Sequence, residues 1–187
     1  LELRDHGAAE GFDLLVALGA SADQVGIGDG GAAPAYAHPA VRHLEVGLRA
    51  PEPADDTLNE LFNDHAVRSG LGMPFPQPIE SFHAWIESAR KDPEHLNLVI
   101  ERLEEPGAIG MCDLMTIEAP TRTAEMGIWV ARPWWRGGYG TDAVRTLSRF
   151  GFDHVNLHRI TLYVNADNTQ AISAYEKVGF VHEGRLR

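Results

Sequence analysis

Residues 124–143, AEMGIWVARPWWRGGYGTDA, contain the transition that decides the fold. The mostly apolar run as far as Ala131 is typical of a β-strand, and a glycine-rich loop follows it. The loop leads into a long amphipathic helix, which is predicted over residues 141–155. Glycine lets a backbone approach a ligand closely, and the first N–H groups of a helix have no partners within the helix. The stretch therefore predicts a strand, an anion-binding turn and a helix, in that order.

A second informative stretch is HRITLYVNADNTQAISAYEKVGF at residues 158–180. Its first part predicts a strand, and its second part predicts a helix that ends at Gly179. Asn168 is expected to cap this helix. Tyr175 lies seven residues after Asn168, about two helical turns, so both side chains face the same side. A half-buried core position is the structural alternative for Tyr175.

Upstream of these stretches, the apolar pattern predicts strands and helices in a different order. Strands are predicted at residues 43–50, 96–103 and 109–118, and helices at residues 53–67 and from Glu80 or Ser81 onward. Three consecutive strands with short connections, the last at residues 124–131, indicate an antiparallel meander. The crossover unit that follows indicates an α/β half. We therefore expect an α+β fold with a mixed central β-sheet that is flanked by helices.

The N-terminal residues 1–43 differ from the rest of the chain. Residues 8–18 are predicted to form a short helix, and residues 19–40 are a linker rich in glycine and alanine. We interpret residues 1–43 as an extension or arm, and residues 44–187 as one domain.

Composition excludes several classes of function. The 187 residues carry a formal net charge of −11, which argues against nucleic acid as a partner. No run of 18 apolar residues and no leader segment is seen, so we expect a cytoplasmic protein without a membrane partner. Cys112 is the only cysteine, which excludes an internal disulfide framework and a cysteine-rich zinc site. His154 and His158 straddle a predicted helix end and strand start, and we expect no metal.

Together, residues 124–143 and 158–180 resemble the GNAT superfamily of acyl-CoA-dependent N-acyltransferases. More narrowly, they resemble its branch of ribosomal-protein-alanine (RimJ/RimL-like) and spermidine acetyltransferases. The resemblance covers residues 44–187 and implies the GNAT fold, with acetyl-CoA as cosubstrate and no metal. The family normally has another strand after the region of Arg185, so this domain is expected to lack the last strand. The N-terminal arm or a partner chain are two possible sources of that strand, and an exposed sheet edge favours a homodimer.

The resemblance also assigns roles to particular residues. Glu125 matches a glutamate that acts as a general base through water, and Tyr175 matches a tyrosine that protonates the departing thiolate. The backbone of Ile128, Trp129 and Val130 is expected to pair with the pantetheine arm as an added strand would. The remaining expected contacts with coenzyme A are Arg136, Gly137, Gly138, Tyr139, Gly140, Thr141, Asn168 and Lys177.

The chemistry of amide formation explains why such residues are needed. A lysine-like amine has a pKa of about 10.4, so only roughly 1 in 2,500 molecules is neutral at pH 7. A nearby carboxylate accepts the excess proton, and a strand N–H stabilises the oxyanion that forms on attack. We expect direct transfer to a primary amine of a protein N-terminus, a polyamine or an aminated small molecule. The alternatives are a non-catalytic acyl-CoA-binding regulatory module, or transfer from another acyl-CoA such as succinyl-CoA.

The charge is distributed unevenly along the chain. Residues 52–118 carry 14 acidic and 4 basic residues, whereas residues 119–187 carry 6 acidic and 9 basic residues. The basic part contains the expected site for the anionic cosubstrate. Within the acidic part, MPFPQPIESF (residues 73–82) resembles the loop that shapes the acceptor pocket in this branch. The gradient therefore favours a cationic amine as the second substrate.

Overall fold

A seven-stranded mixed β-sheet forms the centre of the molecule. The computed structural model describes residues 12–18, 46–52, 55–105 and 107–186. The strands are β1 (Phe12–Leu18), β2 (Val46–Arg49), β3 (Leu96–Arg102), β4 (Ala108–Glu118), β5 (Thr123–Val130), β6 (Arg159–Asn165) and β7 (Val181–Leu186). The helices are α1 (Thr57–Phe62), α2 (His65–Gly70), α3 (Ile79–Lys91), α4 (Tyr139–Asp153) and α5 (Thr169–Val178).

The order of strands across the sheet is β2-β3-β4-β5-β6-β1-β7. Strands β2 to β5 are antiparallel neighbours, which confirms the predicted meander. Strands β5 and β6 are parallel, and α4 is the crossover that joins them. The α+β architecture with a mixed sheet is therefore confirmed.

The N-terminal strand β1 corrects one prediction. The sequence predicted a helix over residues 8–18, but the described part of that segment, Phe12–Leu18, is a strand. It pairs antiparallel with β6 on one side and with β7 on the other. A short apolar run fits a strand as well as a helix, and here two neighbouring strands supply its hydrogen bonds. The remainder of residues 1–43 lies outside the described residues.

Helices cover both faces of the sheet. Ala143, Val144 and Leu147 of α4 belong to a buried cluster that includes Leu114 of β4 and Leu162 of β6. The buried cluster on the other face of the sheet is smaller. In it, Leu58 of α1 and Phe82 and Ile86 of α3 pack against Val99 and Met111 of the sheet. The sheet therefore separates two apolar layers, and the site described below lies where two of its strands part.

Two further details concern the helices. The single helix predicted over residues 53–67 is interrupted, because the Asp64 side chain accepts a hydrogen bond from the Ala66 N–H (2.7 Å) and so starts α2 anew. Gly179 ends α5 in the left-handed conformation (φ 109°), as its sequence position predicted.

Candidate active site

An opening between β5 and β6 is the central feature of the site. The two strands pair only from Thr123–Arg159 to Glu125–Thr161. Beyond Glu125, β5 continues to Val130 and β6 continues to Asn165 without further pairing in the described register. Because parallel strands have their carboxyl ends at the same edge of the sheet, the opening leads to the segments that follow both strands.

Backbone groups of β5 line one side of this opening. The Ala131 N–H donates to the Ile109 carbonyl on β4 (2.8 Å), and the Ala124 carbonyl accepts from Thr161 on β6 (3.3 Å). Backbone groups point alternately to the two sides of a strand, so those of Met126, Ile128 and Val130 face β6 and the opening. Trp129 faces β4 instead, where it pairs with Met111.

One of these backbone groups, the Val130 carbonyl, accepts a hydrogen bond from Trp135. Its indole Nε1–H donates to the Val130 carbonyl at 2.6 Å. The sequence predicted Trp129 and Val130 as backbone contacts without this detail. The geometry leaves the N–H and carbonyl of Ile128 and the N–H of Val130 facing the opening.

The glycine-rich loop joins the carboxyl end of β5 to α4. Gly138 is the N-cap of α4 and has φ 92°, while Arg136 has φ 61°, so the chain turns sharply just before the helix. Gly137 and Arg136 are exposed, and Gly140 and Thr141 in the first turn of α4 are half-buried. These N–H groups lie at the positive end of a 15-residue helix, where an anion is favoured.

The side chain of Tyr139 contacts the end of β3. Its hydroxyl makes a hydrogen bond with the Arg102 guanidinium, which also lies over the Trp134 ring at 5.8 Å from the ring centroid. This contact ties the start of α4 to the end of β3. Tyr139 therefore helps to fix the loop, and its contact with coenzyme A stays a prediction.

Glu125 lies at the apex of the opening. Ala124 and Met126 on either side of it belong to the core beneath α4, so the Glu125 side chain points to the opposite face of the sheet. Burial and the nearby Asp113 both raise the pKa of this half-buried carboxyl above its ordinary value. A carboxylate of raised pKa is a better base near neutral pH.

Tyr175 and Asn168 come from α5, which follows the carboxyl end of β6. The Asn168 side chain caps α5 by accepting from the Ala171 N–H (3.2 Å), as predicted. A Cβ added at Gly70, the last residue of α2, would lie 3.8 Å from Asn168 Nδ2, so α2 covers this corner. Tyr175 is buried, and its ring lies 5.9 Å from that of Phe180.

Burial raises the pKa of Tyr175 to about 12. The expectation from the sequence rested on a phenol of pKa near 10, so this hydroxyl holds its proton more firmly than predicted. It is fully protonated at neutral pH. Lys177, two residues further on, is exposed.

A pair of residues that the sequence reading missed lies beside Glu125. Asp113 on β4 is largely buried, with 13% of its side chain exposed, and its Oδ2 atom lies 3.2 Å from Nε2 of His95. The two residues are 18 positions apart, and only the antiparallel register of β3 and β4 brings them together. Alternation along β4 was a signal for Asp113, since its neighbours Cys112 and Leu114 are apolar.

Comparison with known proteins identifies the family to which the chain belongs. The family model described as an acetyltransferase (GNAT) domain matches residues 45–181. The chain belongs to the GNAT acetyltransferase family. It is therefore assigned to a family of enzymes, and the resemblance seen in the two sequence stretches is confirmed.

Several acetyltransferases of known name are similar to this GNAT chain in sequence or structure. A spermidine N(1)-acetyltransferase from Vibrio cholerae is 31% identical over 145 residues, which cover 76% of this chain and 82% of the relative. A putative ribosomal N-acetyltransferase, YdaF, from Bacillus subtilis is 27% identical, with 78% and 81% covered. The crystal structure of the Vibrio cholerae spermidine N-acetyltransferase in complex with CoA and spermine superposes with a TM-score of 0.68 and 27% identity, covering 74% of this chain and 82% of that one.

Three further findings concern the described part of the GNAT chain. No helix there is long and apolar enough to cross a membrane. Among residues 12–18, 46–52, 55–105 and 107–186, no group of three or more His, Cys, Asp or Glu side chains is placed to hold a metal ion. Burial raises the pKa of the Cys112 thiol well above its usual range, which makes it a poor nucleophile.

Proposed function

We propose that the protein transfers the acetyl group of acetyl-CoA directly to a primary amine of a polyamine. The observation that carries this proposal is the opening between β5 and β6, with unpaired backbone on one side and Glu125 at its apex. A strand edge of this kind binds an extended amide-containing chain in the way that a further strand would be bound. The comparisons favour the acetyltransferase over a non-catalytic acyl-CoA-binding module.

The cosubstrate has a natural orientation in this opening. Its pantetheine amides would pair with the backbone of Ile128 and the N–H of Val130, which points its thioester toward Glu125. Its pyrophosphate would lie at the opposite end, on the N–H groups at the start of α4. We propose Gly138, Gly140 and Thr141 for these contacts. We propose the same for Gly137 and the exposed cation Arg136 in the loop before α4, whereas Asn168 at the start of α5 and the exposed Lys177 in its last turn would contact other parts of the cosubstrate.

The reaction then needs a base on one face of the sheet. Glu125 takes a proton from the bound ammonium ion, directly or through water, and the neutral nitrogen attacks the thioester carbonyl carbon. The oxyanion that forms accepts a hydrogen bond from a β5 N–H that faces the opening. When the intermediate collapses, the C–S bond breaks and the thiolate takes up a proton. We propose Tyr175 as the donor of that proton.

A polyamine is the acceptor class that the chain favours. Residues 52–118, which include α1 to α3 and β3 to β4, carry the large acidic excess, and a polyamine presents several cations. The relatives named as spermidine acetyltransferases support the same class. A protein N-terminus is the second candidate, because another relative is named as a putative ribosomal N-acetyltransferase.

Assembly and location are also part of the proposal. One structural relative is described as dodecameric, which supports a homo-oligomer, and a homodimer is the smallest such unit. A cytoplasmic location is proposed because acetyl-CoA is the required cosubstrate.

A turnover panel tests this function. Release of free CoA is measured with spermidine, an alanine-initiated peptide and butylamine as acceptors. We expect the highest kcat/KM with spermidine, and loss of turnover in Glu125→Gln but not in the matched surface variant Glu87→Gln. Binding of CoA without turnover of any of the three acceptors would overturn the proposal, and a preference for the peptide would favour the second candidate.

A further inference from the structure

Asp113 is a buried carboxylate that the proposed reaction does not use. It lies in the middle of β4, opposite Asn97 on β3 and opposite Gly127 on β5. Only 13% of its side chain is exposed. A buried carboxylate costs free energy unless it is held by partners, so its position calls for a physical reason.

His95 and Gly127 hold this carboxylate in place. His95 Nε2 lies 3.2 Å from Oδ2, and the Gly127 N–H donates a hydrogen bond to the same side chain. A Cβ added at Gly127 would lie only 2.2 Å from Asp113 Oδ1. The Asp113 side chain therefore occupies space over β5 that only a glycine leaves open. The His95 ring in turn packs edge-on against Trp85 of α3, at 6.3 Å between ring centroids.

This arrangement directs Asp113 toward Glu125. The register pairs Asp113 with Gly127 and Met115 with Glu125, so the two carboxyl side chains share one face of the sheet as diagonal neighbours. Such neighbours lie about 7–8 Å apart, or closer, between their β-carbons.

The other groups around Glu125 leave Asp113 as its main charged neighbour. From β6 the directly opposite residue is Thr161, which does not titrate. Arg159 at the start of β6 is engaged by Glu183 of β7 at 2.6 Å. His95 reaches the cluster from the segment before β3 and contacts Asp113.

We propose that Asp113 is a positioning residue for amine deprotonation: held by His95 and Gly127, its buried carboxylate makes Glu125 a stronger base. The proposal rests on the function proposed above, in which Glu125 takes the proton from the amine. Asp113 itself touches neither the amine nor the thioester.

The directions of the pKa shifts of Asp113 and Glu125 agree with this role. Burial raises the pKa of Asp113 above its ordinary value, and His95 and the Gly127 N–H oppose that rise by favouring the charged carboxylate. That charge is one of the two causes that raise the pKa of Glu125. Removing it lowers the pKa of Glu125, which weakens the base and moves the acid limb of the pH profile to lower pH.

The test is a titration of the Glu125 carboxyl followed by 13C NMR, assigned with Glu125→Gln. In Asp113→Asn the pKa of Glu125 is expected to fall by roughly one and a half units, from one charge at about 7–8 Å and an effective dielectric constant near 20. Asp153→Asn, an exposed position on α4, removes an equal charge as the control and is expected to leave it unchanged. An unchanged or raised value in Asp113→Asn overturns the proposal.

A second measurement needs no variant at the buried position. In the wild-type protein, the Glu125 signal is expected to show two inflections, one of which coincides with the titration of Asp113. A single inflection contradicts the proposed coupling. Both readouts are independent of turnover, so a protein that shows the coupling but acetylates no amine refutes the proposed function alone. With turnover present, the acid limb of kcat/KM is expected to move with the NMR value.

Discussion

Substitution of Gly138 by alanine tests the anion site most sharply. Gly138 caps α4 with φ 92° and ψ −13°, a left-handed conformation that a side chain disfavours. The strain is about 1–2 kcal/mol, which corresponds to a fall in Tm of roughly 2–8 °C for a chain of this size. If the turn relaxes to relieve this strain, the first N–H groups of α4 no longer converge on one point.

The expected effect on CoA binding follows from the loss of one such donor. A hydrogen bond to a charged group contributes about 1.5–3 kcal/mol, so the Kd for CoA is expected to rise roughly 10- to 150-fold. Isothermal titration calorimetry measures the Kd, and scanning calorimetry measures the Tm of the same samples.

Gly179→Ala is the matched control. Gly179 has φ 109° and ψ 11° at the end of α5, so alanine imposes a similar strain at a helix C-terminus, which offers no free N–H groups to an anion. We expect a comparable loss of Tm and a Kd for CoA within about twofold of the wild-type value. Equal weakening of CoA binding by both variants, or by neither, would refute the role given to the start of α4.

Three other predictions concern the chemistry and the sheet. Tyr175→Phe is expected to lower kcat by about 10²-fold or more while leaving the Kd for CoA unchanged, because the hydroxyl acts on the leaving group; equal kcat values in stopped-flow assays would remove it from the mechanism. Cys112→Ala is expected to retain turnover, since a buried thiol of raised pKa carries no acyl group, and a trapped acyl-cysteine in mass spectrometry would contradict this. Deletion of residues 1–20 removes β1 and exposes the facing edges of β6 and β7, so light scattering is expected to show association beyond the wild-type assembly, and a mass per assembly unchanged from wild type would argue against a structural role for β1.

Local sequence signals predicted most of the elements that build the site. Residues 124–143 give a strand, a turn and a helix because apolar runs and glycines act over a few neighbouring positions. The caps at Asn168 and Gly179 were predicted for the same reason. The resemblance of two separated stretches then indicated the family before any contact was known.

The contacts that could not be predicted are those between distant residues. The strand at residues 12–18 is stabilised by pairing with β6 and β7, more than 140 residues away, and no local pattern distinguishes it from a helix. The hydrogen bond from Trp135 to the Val130 carbonyl depends on how the loop folds back. The Asp113–His95 pair depends on a register between two strands.

In the proposed complex, the opening between β5 and β6 holds the pantetheine arm with its thioester beside Glu125. A crystal structure of the protein with CoA bound measures this directly. We expect pantetheine amides paired with the backbone of Ile128 and Val130, the pyrophosphate on the N–H groups at the start of α4, and the sulfur at the apex of the opening. A pantetheine arm bound elsewhere, or a pyrophosphate away from Gly138–Thr141, would contradict it.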